Sequence, residues 1–449
     1  MVGPGPWAGR RLHFVGVGGA GLSAYARAAR ALGASVTGSD QAASAFSQAL
    51  ATDGVLEVVI GHRAQNLPAG EGVEVVCSAA VPADNAERVA AVERGLAVVP
   101  RAALLGELSA LRRTIAVAGA HGKTTTSSMI ASVLRAGGLD PGYLIGGILR
   151  ETGRNGDWGS GEWLVIEADE SDRSLLSLQV EIAVLTNVEL DHHDVFGSLA
   201  ELEQLYREFL AGPREAVIWD RPALRALRDG PLVAYDVADA TLEAGRASFA
   251  WDGVAVELAL PGIHNARNAA AALCVARLVG VSAAHAASAL AGFRGAARRF
   301  ERLGASAAGA EVYDDYAHHP TEIAATLAGA RTLAPRRLIA VFQPHLYSRT
   351  RALAREFGAA LAAADAVVVL DVYAAREHAR DFPGVSGLAV AEATADASAG
   401  RPTYWMADRA AAEQLLCKLA GAGDLLVVMG AGDVDELGRR LLAGGEGRA

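Results

Sequence analysis

Short apolar runs punctuate the chain, each ending abruptly in glycine or polar residues. Arg11-Leu12-His13-Phe14-Val15, Val73-Glu74-Val75-Val76-Cys77, Thr114-Ile115-Ala116-Val117-Ala118, Trp163-Leu164-Val165-Ile166 and Ile182-Ala183-Val184-Leu185 are such runs in the first half. Leu338-Ile339-Ala340-Val341-Phe342, Val367-Val368-Val369-Leu370 and Leu425-Leu426-Val427-Val428-Met429 repeat the pattern in the second. Runs this short, bounded by turn residues, predict buried strands, and the longer mixed stretches between them, such as Leu22 to Leu32, predict helices. Strands alternating with helices predict an α/β protein of parallel sheets covered on both faces. Three successive segments are expected, spanning 1–108, 109–296 and 297–449. In such sheets ligands sit beyond the carboxyl ends of the strands, so the residues just after each run hold the chemistry.

The sharpest of these ends is Gly119-Ala120-His121-Gly122-Lys123-Thr124-Thr125. Glycines let backbone N–H groups crowd around phosphate oxygens, and the following helix start adds partial positive charge. A lysine here supplies a point charge, and Thr124 can ligate magnesium. The chain has only two lysines, Lys123 and Lys418, and uses arginine elsewhere. A compact ammonium fits a tight loop where arginine's planar fork does not. Walker-type loops carry a further glycine five residues before the Gly of Gly-Lys; that position is Val117, so this loop is a shorter variant. The expected architecture is therefore a Rossmann-like N-terminal domain, a central P-loop ATPase-type α/β domain and a Rossmann-like C-terminal domain.

In the first segment, Gly16-Val17-Gly18-Gly19-Ala20-Gly21 matches a dinucleotide-type glycine turn, with Asp40 nineteen residues after Gly21. Gly18, Gly19 and Gly21 are candidates to meet a diphosphate, and Ser39, Asp40 and Ser78 stand at neighbouring strand ends. The turn does not say which nucleotide it takes; alone it would equally fit a nicotinamide-dependent oxidoreductase. In the second segment, Glu167-Ala168-Asp169-Glu170-Ser171-Asp172 crowds acids after a strand. Like charges this close call for a counter-cation, and magnesium with ATP phosphates supplies one. Thr186-Asn187-Val188-Glu189-Leu190-Asp191-His192-His193-Asp194 follows the next strand, with His192 a candidate ligand. Gly262-Ile263-His264-Asn265-Ala266-Arg267-Asn268 precedes an alanine-rich helix, where amide side chains also serve as simple caps. In the third segment, Asp314-Asp315-Tyr316-Ala317-His318-His319-Pro320 and Gln343-Pro344-His345, with Arg349 nearby, gather groups suited to a small zwitterion, whose carboxylate an arginine grips with two hydrogen bonds.

Composition narrows the field. The net charge of −10 argues against a nucleic-acid binder, and no apolar stretch is long enough for a membrane span. Cys77, Cys274 and Cys417 form neither a disulfide framework nor a zinc pattern, which fits a cytoplasmic setting.

Taken jointly, GVGGAGLS at 16–23, GSD at 38–40, GAHGKTTT at 119–126, EADESD at 167–172, TNVELDHHD at 186–194, GIHNARNAAAA at 262–272, RRFE at 298–301, DDYAHHPTEI at 314–323 and FQPHLYSRT at 342–350 resemble the Mur ligases of peptidoglycan synthesis. The resemblance covers nearly the whole chain, and the motifs fall in the family's order. It implies three domains that hold a UDP-sugar, ATP with Mg2+, and an incoming amino acid. The activity implied is ATP-dependent ligation of L-alanine to UDP-N-acetylmuramate through an acyl phosphate, by a cytoplasmic monomer or homodimer. Carried over by position, the resemblance assigns the Gly18 to Gly21 turn to the UDP diphosphate and Lys123 to the β- and γ-phosphates. Thr124, Glu167 and His192 fall to magnesium, Asn268 and His264 to the adenine side, and Tyr316, His318, His345 and Arg349 to alanine, with His318 as general base.

Departures from the family pattern also inform. Leu346 stands where arginine is common, which shifts carboxylate gripping onto Arg349; Ala120 stands where threonine is common. Sister ligases for later amino acids use a carbamylated lysine, and neither Lys123 nor Lys418 is placed for one, in keeping with an alanine-adding branch. A ligase that recycles an intact tripeptide onto the same sugar shares the later motifs and is the alternative reading. Folate polyglutamate ligases share only the middle domain, and a nucleotide-gated binding protein without catalysis would not need Lys123, Glu167 and His192 together.

Overall fold

The computed structural model describes residues 5–78, 80–191 and 195–443. The described chain divides into two compact units. One holds the residues up to 191, with 195–236 and 268–290; the other holds 237–267 and everything from 291 onward.

The first unit carries two sheets. In the N-terminal one, β1 (Arg11–Val15), β2 (Ser35–Asp40), β3 (Val59–Ile60), β4 (Val73–Cys77) and β5 (Ala97–Pro100) are ordered β3-β2-β1-β4-β5, all parallel. Val15 pairs with Ser39 on one side and Cys77 on the other, so the glycine turn after β1 lies between Asp40 and Ser78. The second sheet comprises β6 (Arg113–Ala118), β7 (Gly142–Leu149), β8 (Arg154–Asp157), β9 (Trp163–Glu167), β10 (Ile182–Leu185), β11 (Glu215–Trp219) and β12 (Val233–Tyr235), ordered β12-β11-β10-β6-β9-β7-β8. Here β6 is central: Ala118 pairs with Leu185 and Val117 with Glu167. The register alone therefore brings the ends of β6, β9 and β10 to one edge.

The two sheets share a core. The helix Ala20–Ala31 is buried from Leu22 through Ala29, because the β7–β8 hairpin covers the side its own sheet does not. Its small side chains permit this approach: a Cβ on Gly156 would come within 2.8 Å of the Ala24 Cβ. Buried Asn155 donates to Ala20 O at 2.5 Å and to Ser23 Oγ at 2.8 Å, which satisfies the polar groups that such burial would otherwise orphan.

The second unit holds a small antiparallel sheet, β13 (Thr241–Glu243), β14 (Arg246–Trp251) and β15 (Val254–Leu258), which the strand pattern did not announce. Its main sheet contains β16 (Glu301–Ala305), β17 (Glu311–Asp315), β18 (Arg337–Phe342), β19 (Ala366–Leu370), β20 (Thr403–Met406) and β21 (Asp424–Met429), ordered β16-β17-β21-β18-β19-β20. Only β16, at the edge, is antiparallel. Leu338, Ala340 and Phe342 face one core while Ile339 and Val341 face another. Strands covered on both faces read as unbroken apolar runs, which is why these were so visible in the sequence. Among the described residues no helix is long and apolar enough to cross a membrane.

Candidate active site

At the end of β6 the backbone makes a turn that only glycine permits. Gly119 has φ +130° and Gly122 φ +81°. A Cβ on Gly119 would fall 2.2 Å from Thr186 Oγ1, and one on Gly122 would fall 2.8 Å from Asn268 Oδ1. The helix Lys123–Ala136 starts directly after, with no side-chain cap and no acid in its first turn. Its first N–H groups are thus left for an anion. The strip after β10 staples the loop from beside it. Asn187 Oδ1 accepts from His121 N at 2.9 Å and Asn187 Nδ2 donates to His121 O at 2.8 Å. Thr186 Oγ1 donates to His121 O at 2.7 Å, and Ala120 N donates to Asn187 O at 3.3 Å. Asn187 was readable only as part of a polar stretch; its contribution follows from the pairing of β10 with β6. Thr125 is buried in the first turn of the helix.

Lys123 Nζ donates to both carboxylate oxygens of Glu170 at 2.9 Å, to Gly119 O at 2.6 Å and to Ala120 O at 3.3 Å. Burial works against its charge, but Glu170 and then Asp169 outweigh that and hold its pKa above the ordinary lysine value. Beside it, Thr124 Oγ1 donates to Glu167 Oε1 at 2.9 Å, and Gly146 N donates to Glu167 Oε2 at 2.6 Å. Thr124 and Glu167 thus present a hydroxyl and a carboxylate side by side, as a hard divalent cation requires. His192 lies outside the described residues. Asn268 is buried against Gly122. His264 sits near Arg267 and Glu322; burial first, then Arg267, push it down to about 4, so its ring is neutral.

In the first domain the glycine turn is closed by its neighbour strand. Gly18 N donates to Asp40 Oδ2 at 2.7 Å, and Ser44 Oγ donates to Gly18 O at 2.7 Å. Gly19 precedes the helix Ala20–Ala31 without a side-chain cap. Ser78 lies against Gly16, where an added Cβ would come within 3.0 Å of its own. Ser39 enters the turn through its carbonyl, which accepts from Gly16 N at 2.8 Å and Val17 N at 3.0 Å. Its hydroxyl turns the other way and donates to Glu87 Oε2 at 2.8 Å. Buried Glu87 also bonds His13 at 2.8 Å and Asn66 at 2.7 Å. Burial alone would raise this carboxyl; the hydrogen bonds from His13, Ser39 and Asn66 hold it instead at about 2.

In the second unit, four strand ends meet through the register of β17, β21, β18 and β19: Asp315 pairs with Met429, Met429 with Phe342, and Phe342 with Val369. His318 Nδ1 lies 2.9 Å from Tyr316 O. A carbonyl only accepts, so Nδ1 carries a proton, and Glu322 Oε2 lies 3.3 Å from the same nitrogen. Arg349, buried, donates from Nη1 to His345 Nδ1 at 3.2 Å, which puts the His345 proton on Nε2. His345 stacks on Tyr373 with centroids 5.8 Å apart, and its ring is 6.1 Å from that of His318. Arg298 and Arg299 each lie 5.2 Å from the Tyr316 ring. Burial pushes Asp314 up to about 7 against the pull of Arg298, and Asp315 up to about 6 against Arg299. Leu346 has φ +70° and is buried, so this position sends no charge toward these groups. Arg298 opens the RRFE motif and Tyr373 follows the run Val367-Val368-Val369-Leu370, but neither was among the site residues assigned from the sequence.

Comparison with known proteins agrees with this layout. Residues 11–113 match "Mur ligase family, catalytic domain", 117–276 match "Mur ligase middle domain", and 298–432 match "Mur ligase, glutamate ligase domain". The UDP-N-acetylmuramate--L-alanine ligase of Thermobifida fusca is 43% identical, over 96% of this chain and 96% of that protein. The crystal structure of a UDP-N-acetylmuramate-alanine ligase from Thermotoga maritima superposes with a TM-score of 0.83 at 26% identity, covering 96% of this chain and 98% of that one. A murein peptide ligase from Psychrobacter arcticus gives 0.74 at 26% identity, covering 98% and 100%. A glycine turn, a lysine phosphate loop and a histidine–arginine cluster on three successive α/β domains, matched from end to end by such relatives, mean that this chain belongs to the Mur ligase family.

Proposed function

We infer that the protein is an ATP-dependent ligase that forms the amide bond between L-alanine and the lactyl carboxylate of UDP-N-acetylmuramate, a step of peptidoglycan precursor synthesis in the cytoplasm. The observation that carries this reading is the meeting of Lys123, Thr124 and Glu167 at the ends of β6 and β9, at a helix start whose first N–H groups have no side-chain cap. Similarity also favours alanine over an intact peptide: the TM-score is 0.83 against the alanine ligase and 0.74 against the murein peptide ligase.

The chemistry follows from where charge must be neutralised. The uncapped N–H groups at the start of the helix Lys123–Ala136, with Lys123, hold the β- and γ-phosphates, and Lys123 exchanges Glu170 for phosphate as nucleotide enters. Thr124 and Glu167, with His192, would hold magnesium. When bound, that ion offsets charge on the transferring phosphoryl group. The glycine turn at Gly18, Gly19 and Gly21 receives the UDP diphosphate, flanked by Asp40 and Ser78; Ser39 contributes its carbonyl to the turn. Asn268 borders the loop on the adenosine side. The lactyl carboxylate attacks the γ-phosphorus and ADP leaves, giving an acyl phosphate. The alanine amine then attacks the acyl carbon, the C–O bond breaks and phosphate departs. His318, through Nε2, takes the proton from the ammonium group. Arg349 and the Nε2–H of His345 grip the alanine carboxylate, and Tyr316 lines that pocket.

Phosphate release from ATP, measured with UDP-N-acetylmuramate and a panel of amino acids, tests the reading. Release that depends on both the sugar acid and L-alanine is the expected result. Release with the tripeptide but not with alanine would transfer the assignment to the recycling reaction.

A further inference from the structure

Arg101 opens the helix Arg101–Ala110 at the end of the first domain, and the mechanism above gives it no part. Its guanidinium reaches the acidic turn of the second domain. Nε and Nη2 donate to Asp172 Oδ2 at 2.9 and 2.6 Å, and Nη2 also donates to Ser174 Oγ at 3.0 Å. Asp169 lies 3.9 Å from Nη2. These contacts fix the plane of the fork. Among the described residues the remaining nitrogen, Nη1, has one hydrogen-bond partner, the Tyr25 hydroxyl at 3.5 Å, the outer limit of a hydrogen bond.

Nη1 points at the glycine turn. A Cβ on Gly21 would come within 3.1 Å of it and would meet nothing else within 4 Å. The helix that starts there, Ala20–Ala31, has no side-chain cap and no acid in its first turn. Gly18 N is already taken by Asp40, but the first N–H groups of this helix have no side-chain cap, and they and the under-used guanidinium nitrogen lie at the same end of it. Two donor sets converging on one point are the usual device for holding a phosphate group.

We propose that Arg101 is a UDP-sugar-binding residue whose Nη1 donates to a diphosphate oxygen at the Gly18–Gly21 turn, with Asp172 and Ser174 setting its orientation. The assignment rests on the UDP-sugar reading of the first domain. It adds a specific consequence: the acidic turn that borders the ATP site also positions a group on the sugar nucleotide, so one short segment serves two substrates.

Calorimetric titration of the full-length protein with UDP and with UDP-N-acetylmuramate, without ATP, tests this. Arg101→Gln is expected to raise both dissociation constants by roughly tenfold to a hundredfold, the loss typical of a charge-assisted hydrogen bond. Arg101→Lys is expected to fall between, because an ammonium cannot hold Asp172 and reach the diphosphate together. Asp172→Asn is expected to weaken both ligands by a smaller factor. If Arg101→Gln and Arg101→Lys lower the thermal midpoint but leave both dissociation constants unchanged, Arg101 is only a strut between domains and the proposal is overturned. Weakened UDP-N-acetylmuramate with unchanged UDP would overturn the diphosphate assignment in favour of the lactyl carboxylate. A wild-type protein that binds neither ligand would instead remove the UDP-sugar reading itself.

Discussion

Lys123→Ala should separate stability from catalysis in a way that a second substitution makes readable. Both Glu170 oxygens lie 2.9 Å from Nζ, and the two side chains are 13% and 3% exposed. At that separation, and with an effective dielectric near 20, the attraction is about 6 kcal/mol before desolvation is subtracted. Removing one partner of a buried pair typically costs about 3–5 kcal/mol, because the other charge stays buried. Lys123→Ala should therefore destabilise the nucleotide-free protein by about that amount. Adding Glu170→Gln removes the stranded charge, so the double variant should recover most of the loss. Catalysis should not recover: without the ammonium, phosphoryl transfer should slow by at least about a hundredfold to a thousandfold in both variants. UDP-sugar binding should survive in both, since the glycine turn proposed for the diphosphate lies in the first domain. Denaturant unfolding without ATP reads the stability arm, phosphate release the catalytic arm, and calorimetry the control. A double variant no more stable than Lys123→Ala would refute the electrostatic account, and near-normal turnover in either would refute the role of the lysine.

Asn187→Ala removes both side-chain bonds to His121, so the Michaelis constant for ATP should rise severalfold with only about 1–2 kcal/mol of lost stability; an unchanged constant in steady-state kinetics would show that the staple is dispensable. Arg349→Gln should raise the Michaelis constant for alanine by roughly tenfold to a hundredfold and leave that for ATP alone, and equal shifts for both substrates would count against a carboxylate grip. Asp314 and Asp315 sit at about 7 and about 6 in the fold, above their ordinary 3.8. The folded chain keeps protons there that the unfolded chain has released, so the contribution of these groups to stability falls as pH rises from about 4 to about 7. Asp314→Asn should flatten that slope in unfolding curves taken across the window, and an unaltered slope would mean that another group titrates.

The parts legible in the sequence were those that a few neighbouring residues decide. The run Thr114–Ala118 into Gly119 and Gly122 could be read because a buried strand needs apolar side chains and the turn needs positive φ. The helix Pro320–Arg331 likewise begins at a proline, whose fixed φ suits the first helical position. Ser39 shows where such reading stops. Its position at a strand end was visible, but successive side chains on a strand face opposite ways, and the hydroxyl went to Glu87 in the core. The sheet β13–β15 escaped notice because its strands are short and bury only one face, with Ala247, Phe249, Val256 and Leu258 inward, so no continuous apolar run announces them.

The amino-acid order by itself therefore determined the class of fold, the order of the domains and the chemical character of each strand end, because sterics of the backbone and local charge act over a few residues. Only the tertiary structure decided which ends meet. Glu170 reaches Lys123, Asn187 reaches His121, and Arg101 reaches Asp172 across separations of 47, 66 and 71 residues in the chain. Those meetings depend on which strand lies beside which and in what register, and that choice is made by burial of whole sheet faces, a cooperative quantity that no short segment carries.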